Sequence, residues 1–444
     1  MSANLLGRAG PPPLHPHNGP VSADPSTPTT VLMRRLRDGD GRALLETLPP
    51  YNEGQVLALT SRLRAEGHDG ELVAAALTQS RLRDRAASRL GPHAQRLLLT
   101  AEGLEQATRP AVAARHAERF VAAGVDHVWD LGAGLGLDAI ALADAGLAVS
   151  AVERDPEVAE AATANLASFP RARVLRTDIS EVGVAPTDGA WLDPARRTPG
   201  VADRTGRTRR LVRLSDLSPS WDVVQDVAAS ASATGVKLSP GFAAADLPAG
   251  AEAEWVSLDG DAVECAVWWG HAVRDPGVSA VVGTSSPDGA RWVTVEPVPD
   301  PPPPLGPGEG LLPWLAEPDR AVLAAGLTGS LAAQVAGREL DHGVGYVTAP
   351  AVVDVSWARW YAVEEVLPLH ARTVRAWLRA RGAGRVTIKK RGVPTDPDRF
   401  RADLRLRAGR SAPEATLVLT RVAGTPSAVV VRPFAAPDRG SLRR

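Results

Sequence analysis

Residues 128–136 read Val-Trp-Asp-Leu-Gly-Ala-Gly-Leu-Gly, an apolar strand that runs into a glycine-rich loop. A helical pattern starts near Leu137, so the helix would direct its free N–H groups at the loop, where missing side chains let a ligand approach the backbone. The next strand ends at Val152-Glu153, and a carboxylate at that place can accept hydrogen bonds from ribose hydroxyls. This strand–loop–helix–strand unit predicts an α/β fold with a nucleoside-binding site at the loop.

The spacing of the glycines restricts the kind of nucleoside. Gly132, Gly134 and Gly136 give the pattern G-x-G-x-G, whereas a dinucleotide-binding loop has G-x-G-x-x-G, and Leu137 stands where its third glycine would be. Asp130, just before the loop, would repel a pyrophosphate but suits a cationic or amine-bearing ligand. The pattern therefore favours a positively charged nucleoside cofactor over a dinucleotide.

The N-terminal half of the chain is predicted to contain three regions. Residues 1–28 are rich in Pro, Ser and Thr, which is typical of a disordered tail. Residues 29–104 have apolar residues at helical spacing, with Thr30 as the expected N-cap of the first helix. Strands and helices alternate over residues 105–275, which predicts a doubly wound, Rossmann-like parallel sheet that ends in a hairpin across Asp259-Gly260-Asp261.

The C-terminal part is predicted to contain a linker and a further domain. Residues 284–310 include the run Pro301 to Pro304 and predict a proline-rich, extended linker. Residues 311–437 predict a small α+β domain, with one helix over 320–336 and an apolar strand from Val352.

Composition limits the remaining classes of function. A formal net charge of −1 argues against a polyanion binder that acts through bulk charge. The single cysteine, Cys265, excludes an internal disulfide and a cysteine-based metal site, and the nine histidines lack the spacing of zinc ligands. No apolar run is long enough to span a membrane. We expect a cytoplasmic protein with no metal and no membrane contact, and the sequence leaves its oligomeric state open.

Two further carboxylates follow predicted strands, at the edge where open α/β sheets bind ligands. Asp178 follows the third strand, and Asp193-Pro194 ends the fourth. Asp193 and Pro194 are the predicted catalytic residues, with Asp193 orienting or deprotonating the substrate nucleophile. Each aspartate also has a purely structural alternative: Asp178 can cap the next turn, and Asp193 can hold its own loop together.

Two basic stretches are candidates for neutralising phosphates. Residues 194–213 contain seven arginines and one acid, and residues 371–392 contain eight basic residues and no acid. Lysine is rare in this arginine-rich chain, so the adjacent pair Lys389-Lys390 carries more weight than two arginines would. The predicted RNA-binding residues are Arg196, Arg197, Lys389, Lys390 and Arg391. The alternative is that both stretches are solvated surfaces.

The glycine loop with Asp130 and Glu153 resembles motif I of the class I S-adenosylmethionine-dependent methyltransferases. The whole layout resembles the bacterial members of that family with a C-terminal THUMP-like domain, on the matching segments Glu105-Gln106-Ala107, 130–136, 193–197, Glu317-Pro318-Asp319, Gly345-Tyr346 and 388–392. The resemblance implies S-adenosyl-L-methionine as cofactor, with Asp130 beside the methionine moiety, Glu153 on the ribose and Asp178 on the adenine amine. True THUMP domains present RNA to an attached modifying enzyme, so it also implies structured RNA, tRNA or rRNA, as the substrate.

The Asp193-Pro194 segment departs from two better-defined methyltransferase patterns. Nucleobase amino-methyltransferases have D/N-P-P-aromatic here, and Arg196 and Arg197 replace the aromatic residue. The segment looks closer to the RNA 5-methyluridine methyltransferases, but these need a nucleophilic cysteine after the fifth strand, which ends here in Lys237-Leu238-Ser239-Pro240. The sequence therefore does not identify the substrate atom that receives the methyl group. A methyltransferase of a protein or small molecule, and a non-catalytic RNA-binding protein with a vestigial cofactor pocket, stay as alternatives.

Overall fold

The computed structural model of the chain describes residues 27–196, 214–287, 289–406 and 413–434. The described residues divide into two compact units. The first unit contains residues 27–196, 214–236 and 268–273, and the second contains the remaining described residues from 237 onward. No helix in these ranges is both long enough and apolar enough to cross a membrane. The predicted tail falls almost wholly outside them.

Helices dominate the start of the first unit, as the apolar spacing predicts. The first helix begins at Pro28, because proline suits the first helical turn, and Thr27 is its N-cap. The expectation of Thr30 as N-cap is therefore wrong, and the Thr30 side chain is fully buried inside the helix. Leucines such as Leu44, Leu72 and Leu99 form the core of this helical region. The helices of this unit are α1(Pro28–Arg37), α2(Asp40–Thr47), α3(Val56–Ala65), α4(Gly70–Leu90), α5(Ala101–Gln106), α6(Pro110–Ala122), α7(Leu137–Asp144), α8(Pro156–Asn165) and α9(Trp221–Ser230).

A parallel sheet follows in the first unit, as the alternation of elements predicts. Its strands are β1(His127–Leu131), β2(Ala148–Val152), β3(Ala172–Leu175), β4(Gly189–Leu192) and β7(Ala233–Leu238), and the short strands β5(Ala195–Arg196) and β6(Leu217–Ser218) pair separately. The order is β7-β4-β1-β2-β3 with every pairing parallel. The carboxyl ends of β1, β2, β3 and β4 therefore share one edge of the sheet.

The second unit begins with the strands β8(Glu252–Leu258), β9(Asp261–Gly270), β10(Gly277–Ser286) and β11(Gly289–Val295), in the order β11-β10-β8-β9. Asp259 and Gly260 both have positive φ between β8 and β9, so the hairpin prediction is confirmed. The predicted linker over 284–310 is wrong in its first part. Strands β10 and β11 pair antiparallel as far as Ser286 and Gly289, so this part of the chain forms strands rather than the start of an extended linker.

A second sheet completes the second unit. Its strands are β12(Trp314–Pro318), β13(Arg338–Glu339), β14(Val347–Ala349), β15(Ala358–Pro368), β16(Arg385–Lys390), β17(Glu414–Val422) and β18(Thr425–Phe434), with the helices α10(Arg320–Ala324), α11(Thr328–Gln334), α12(Ala371–Ala380) and α13(Pro397–Leu404). The strands lie in the order β13-β14-β12-β15-β18-β17-β16. Gly326, with φ +74°, separates α10 from α11 in the stretch predicted as one helix. The strand expected from Val352 begins instead at Ala358.

Candidate active site

The glycine loop is fixed to the end of β2 and passes close to the end of β4. The N–H groups of Gly132 and Ala133 both donate to the carbonyl oxygen of Val152, at 3.0 Å each. Gly132 has a φ of +90°, and a Cβ added there would lie 3.1 Å from the carbonyl oxygen of Asp193, so this position requires glycine on both counts. At Gly134 an added Cβ would meet no atom within 4 Å. The middle of the loop is thus open to a ligand.

Glu153 directly follows β2 and faces the glycine loop. Its Oε2 accepts a hydrogen bond from the N–H of Gly134 at 3.0 Å, and its Oε1 accepts one from the N–H of Asp155 at 2.8 Å. Burial raises the pKa of Glu153, although both of these bonds act to lower it. Each carboxylate oxygen has a second lone pair, so the group retains the capacity to accept hydroxyl hydrogen bonds from a ribose.

Asp130 and Asp178 lie in very different surroundings. Asp130, near the end of β1, is only 1% exposed. Asp178 is exposed after β3, and its Oδ1 accepts hydrogen bonds from the N–H and the hydroxyl of Ser180, at 3.0 and 2.8 Å. The N–H bond in particular lowers the pKa of Asp178. Asp178 thus caps the 3-10 turn Ile179–Glu181, the structural alternative considered for it, and its contact with an adenine amine stays a prediction.

Strand β4 places Asp193 and Pro194 beside the glycine loop. The N–H of Asp193 donates to the carbonyl oxygen of Leu131 at the end of β1, at 3.3 Å, and Pro194 is buried. The predicted catalytic segment and the predicted cofactor loop therefore lie together. Arg196 belongs to β5, and Arg197 lies outside the described residues.

A buried polar cluster next to the glycine loop was not predicted from the sequence. Asp138, in the first turn of α7, accepts a hydrogen bond from the hydroxyl of Thr108 and contacts Nδ1 of His116, both at 2.7 Å. The His116 ring stacks on Trp191, with ring centroids 4.0 Å apart. Trp191 lies two residues before Asp193, so the cluster connects the helix after the glycine loop with the strand that carries Asp193. Because its members are up to 83 positions apart, no local sequence pattern joins them.

The N-terminal helices support the glycine loop directly. The Nδ2 group of Asn165 donates to the carbonyl oxygens of Leu98 and Leu135, at 3.0 and 2.9 Å, while its Oδ1 accepts from the N–H of Leu98 at 2.8 Å. A Cβ added at Gly103 would lie 2.8 Å from the Leu135 side chain, so α5 also packs closely against the loop.

Several other features lie away from this chemistry. Cys265 is fully buried in β9, and burial raises the pKa of its thiol far above the usual range, so it is not available as a nucleophile. A cavity of about 1710 Å³ is lined by residues of α1, α2, α4 and α6–α8, among others, and by none of the predicted site residues. Within the same ranges, no group of three His, Cys, Asp or Glu side chains is arranged to hold a metal ion.

Two of the predicted RNA-binding residues are engaged by a carboxylate in the second unit. The Nζ of Lys389 lies 2.6 Å from Oε2 of Glu317, and Nη2 of Arg391 lies 3.4 Å from its Oε1. The Tyr361 hydroxyl donates to Glu317 at 2.9 Å. Burial opposes ionisation of Glu317, yet its bond to Lys389 and the nearby cations hold its pKa below the usual range. Lys390 is exposed.

Comparison of the chain with known proteins identifies its family. Two relatives, both described as uncharacterised S-adenosylmethionine-dependent methyltransferases, come from two strains of Mycobacterium tuberculosis; each is 31% identical over 364 residues, which is 77% of this chain and 90% of the relative. The chain belongs to the S-adenosylmethionine-dependent methyltransferases. It carries a C-terminal THUMP-like domain, since the family model described as THUMP domain-like matches residues 358–433, and a domain of unknown function matches residues 30–86.

A solved structure shows the same fold. The crystal structure of a protein from Porphyromonas gingivalis, described as a candidate methyltransferase, superposes with a TM-score of 0.64 at 19% identity. The match covers 87% of this chain and 100% of the other. At this identity the likeness shows the fold alone.

S-adenosyl-L-methionine is therefore the cofactor of this methyltransferase, and the loop fits it. The open backbone at Gly134 leaves room for a ligand, and the carboxylates of Asp130 and Glu153 give the site the negative charge that suits a sulfonium and an amino group. When bound, the cofactor supplies an activated methyl group, so the protein has mainly to orient a nucleophile and exclude water.

Proposed function

We propose that this methyltransferase acts on structured RNA, tRNA or rRNA, which its C-terminal unit holds. The observation that carries the proposal is a THUMP-like domain containing a stretch of eight basic residues and no acid, in the same chain as a methyl-donor site. Basic stretches of this kind neutralise phosphates. The nearly neutral chain makes such a local excess of positive charge more specific than it would be in a basic protein.

We propose that Asp193 orients the substrate nucleophile, and that Pro194 helps to fix its backbone. The hydrogen bond from the Asp193 N–H to Leu131 and the close approach of the Asp193 carbonyl to Gly132 support this role, because Asp193 lies beside the cofactor loop. The Asp193 carboxylate would accept a hydrogen bond from an N–H or O–H group of the acceptor, and it would take that proton as the methyl group leaves the cofactor sulfur and bonds to the acceptor atom. We also propose that Asp130, Glu153 and Asp178 contact the methionine, ribose and adenine parts of the cofactor.

The decisive experiment compares total RNA from a deletion strain with RNA from its parent by nucleoside mass spectrometry. We expect one modified nucleoside to disappear in the deletion strain and to return with the wild-type gene. The Asp193→Asn variant, expressed at the same level, should fail to restore it. If the two nucleoside profiles are identical, RNA is not the substrate. If the asparagine variant restores the nucleoside fully, Asp193 is not the orienting group.

A further inference from the structure

The alternation of side chains along β16 divides the Lys389-Lys390-Arg391 segment between the two faces of its sheet. Lys389 and Arg391 point to the face that carries Glu317, which lies between their cationic groups. Lys390 has the parity of Val386 and Ile388, which pack against the core formed with α12 and α13. The three adjacent basic residues therefore do not form one surface.

The pairing of Lys389 and Arg391 with Glu317 joins two strands that are not neighbours in the sheet. Strands β12 and β16 are four places apart in the sheet, which is about 19 Å in a flat sheet. The 2.6 Å contact between Lys389 and Glu317 is shorter than a flat sheet would allow, which indicates that the sheet curls between the two strands. Both cations also lie over tyrosine rings, Lys389 over Tyr361 and Arg391 over Tyr346. The charges of Lys389 and Arg391 are therefore used in a contact within the protein.

The arginines of α12 have the opposite arrangement. Arg372, Arg375 and Arg379 follow one another at i, i+3 and i+7, so they form one stripe along the helix. Val374 and Leu378, on another side of the helix, are fully buried. The helix contains no acidic residue, and over the described ranges none of the three arginines lies within ion-pair distance of a carboxylate.

Two arginines of the stripe donate hydrogen bonds to backbone carbonyls, which do not neutralise their charge. Arg375 donates to the backbone carbonyl of Asp403, and Arg379 donates to that of Arg405 at 3.4 Å. Next to the stripe, the guanidinium of Arg381 stacks on Trp377, 3.8 Å from the ring centroid. A guanidinium held by carbonyl oxygens or a ring keeps its full charge for a phosphate.

The arginines of α1 have different surroundings from those of α12. The three arginines of α1, Arg34, Arg35 and Arg37, all form ion pairs with carboxylates. The charge of α1 is therefore neutralised by its own ion pairs, whereas the charge of the α12 stripe is not, and this makes α1 a matched control for α12.

We infer that the α12 stripe, Arg372, Arg375 and Arg379, is the surface that contacts the phosphates of RNA, and that Lys389 and Arg391 are structural. This inference rests on the proposed RNA substrate. Arg372 and Arg379 are about 10 Å apart along the helix, a length that spans about three phosphates of one strand of a duplex. Removing these three charges should lower the dependence of affinity on salt, because fewer counterions are released on binding.

The test measures binding of the full chain to unfractionated transfer RNA and to ribosomal RNA between 50 and 200 mM salt, roughly the range in which phosphate contacts alter affinity most. The test variant is Arg372→Gln/Arg375→Gln/Arg379→Gln. The matched control is Arg34→Gln/Arg35→Gln/Arg37→Gln, which removes the same charge from a helix whose arginines are paired. The single variant Arg372→Glu replaces the triple variant if that does not fold.

We expect the slope of log affinity against log salt to fall by about 2 to 3 in the α12 variant and to stay unchanged in the α1 variant. Equal losses in both variants, or an unchanged slope in the α12 variant, would overturn the inference while leaving RNA as the substrate. If the wild-type protein itself binds neither RNA with a steep salt dependence, the proposed function fails instead. Lys389→Gln/Arg391→Gln should lower the free energy of unfolding and leave the slope near the wild-type value.

Discussion

Replacing Gly132 by alanine tests whether the glycine loop is built around Asp193. The φ of +90° at Gly132 is unfavourable for any residue with a Cβ, which lowers the free energy of unfolding by about 1–2 kcal/mol. In addition, the new Cβ would lie 3.1 Å from the carbonyl oxygen of Asp193, closer than an ordinary van der Waals contact. Asp193 cannot easily move, because its N–H is bound to Leu131. The loop must therefore shift.

Gly146 provides the matched control for this substitution. It has nearly the same φ, +88°, and an added Cβ there meets no atom within 4 Å. Gly146→Ala should therefore lower the free energy of unfolding by a similar amount, about 1–2 kcal/mol, without touching the loop. Any further effect of Gly132→Ala then comes from the contact with Asp193 and not from backbone strain.

Two measurements separate these effects: urea denaturation of the cofactor-free proteins and calorimetric titration with S-adenosylmethionine. We expect Gly146→Ala to bind the cofactor like the wild type. Gly132→Ala should bind it at least tenfold more weakly, which corresponds to about 1.4 kcal/mol. If Gly132→Ala loses stability but keeps wild-type affinity, the loop does not depend on its fit against Asp193, and our description of the site is wrong.

Three further predictions concern single carboxylates. Asp138→Asn, which weakens the contacts with Thr108 and His116, should lower the free energy of unfolding by about 1–3 kcal/mol in urea denaturation, and an unchanged midpoint would contradict those contacts. Because the pKa of Glu317 is lowered in the folded protein, its contribution to stability is present above the ordinary glutamate pKa and is lost as the pH falls through the lowered value. Denaturation curves at a series of pH values below about 4.5 should show this loss in the wild type and not in Glu317→Gln, which should be less stable already at neutral pH. Asp178→Ala should lower the free energy of unfolding by about 1 kcal/mol, because the N-cap is lost, and should weaken S-adenosylmethionine binding about tenfold in calorimetry. Unchanged affinity would leave Asp178 with the capping role alone.

The sequence predicted those parts of the site that depend on local structure. Gly132, Glu153 and Asp193 each lie at a strand end, and the edge shared by parallel strands brings them together whatever the rest of the fold does. The methyltransferase family and its cofactor were inferred from the resemblance of the glycine loop to motif I of that family, and they are confirmed by the relatives from Mycobacterium tuberculosis. The roles of the individual residues stay predictions.

Contacts between residues far apart in the sequence could not be predicted. Nothing in the sequence places His116 against Trp191, or Glu317 between Lys389 and Arg391, because each contact depends on how whole elements pack or curl. The linker prediction failed for a different reason. Serine, proline and glycine occur in both hairpin turns and linkers, and only pairing with a neighbouring strand distinguishes the two.

The side chain of Asn165 has a practical consequence for dissecting this enzyme. Asn165 bonds both to Leu98, in the N-terminal helical region, and to Leu135, in the glycine loop. The helical region is therefore part of the structure that supports the cofactor loop, and it cannot be removed without disturbing that loop. A shortened protein that starts at residue 105 would keep every predicted cofactor contact, yet it would leave two bonding groups of Asn165 unmatched and Leu135 uncovered. Loss of cofactor binding after such a truncation would therefore reveal nothing about substrate recognition by the missing helices.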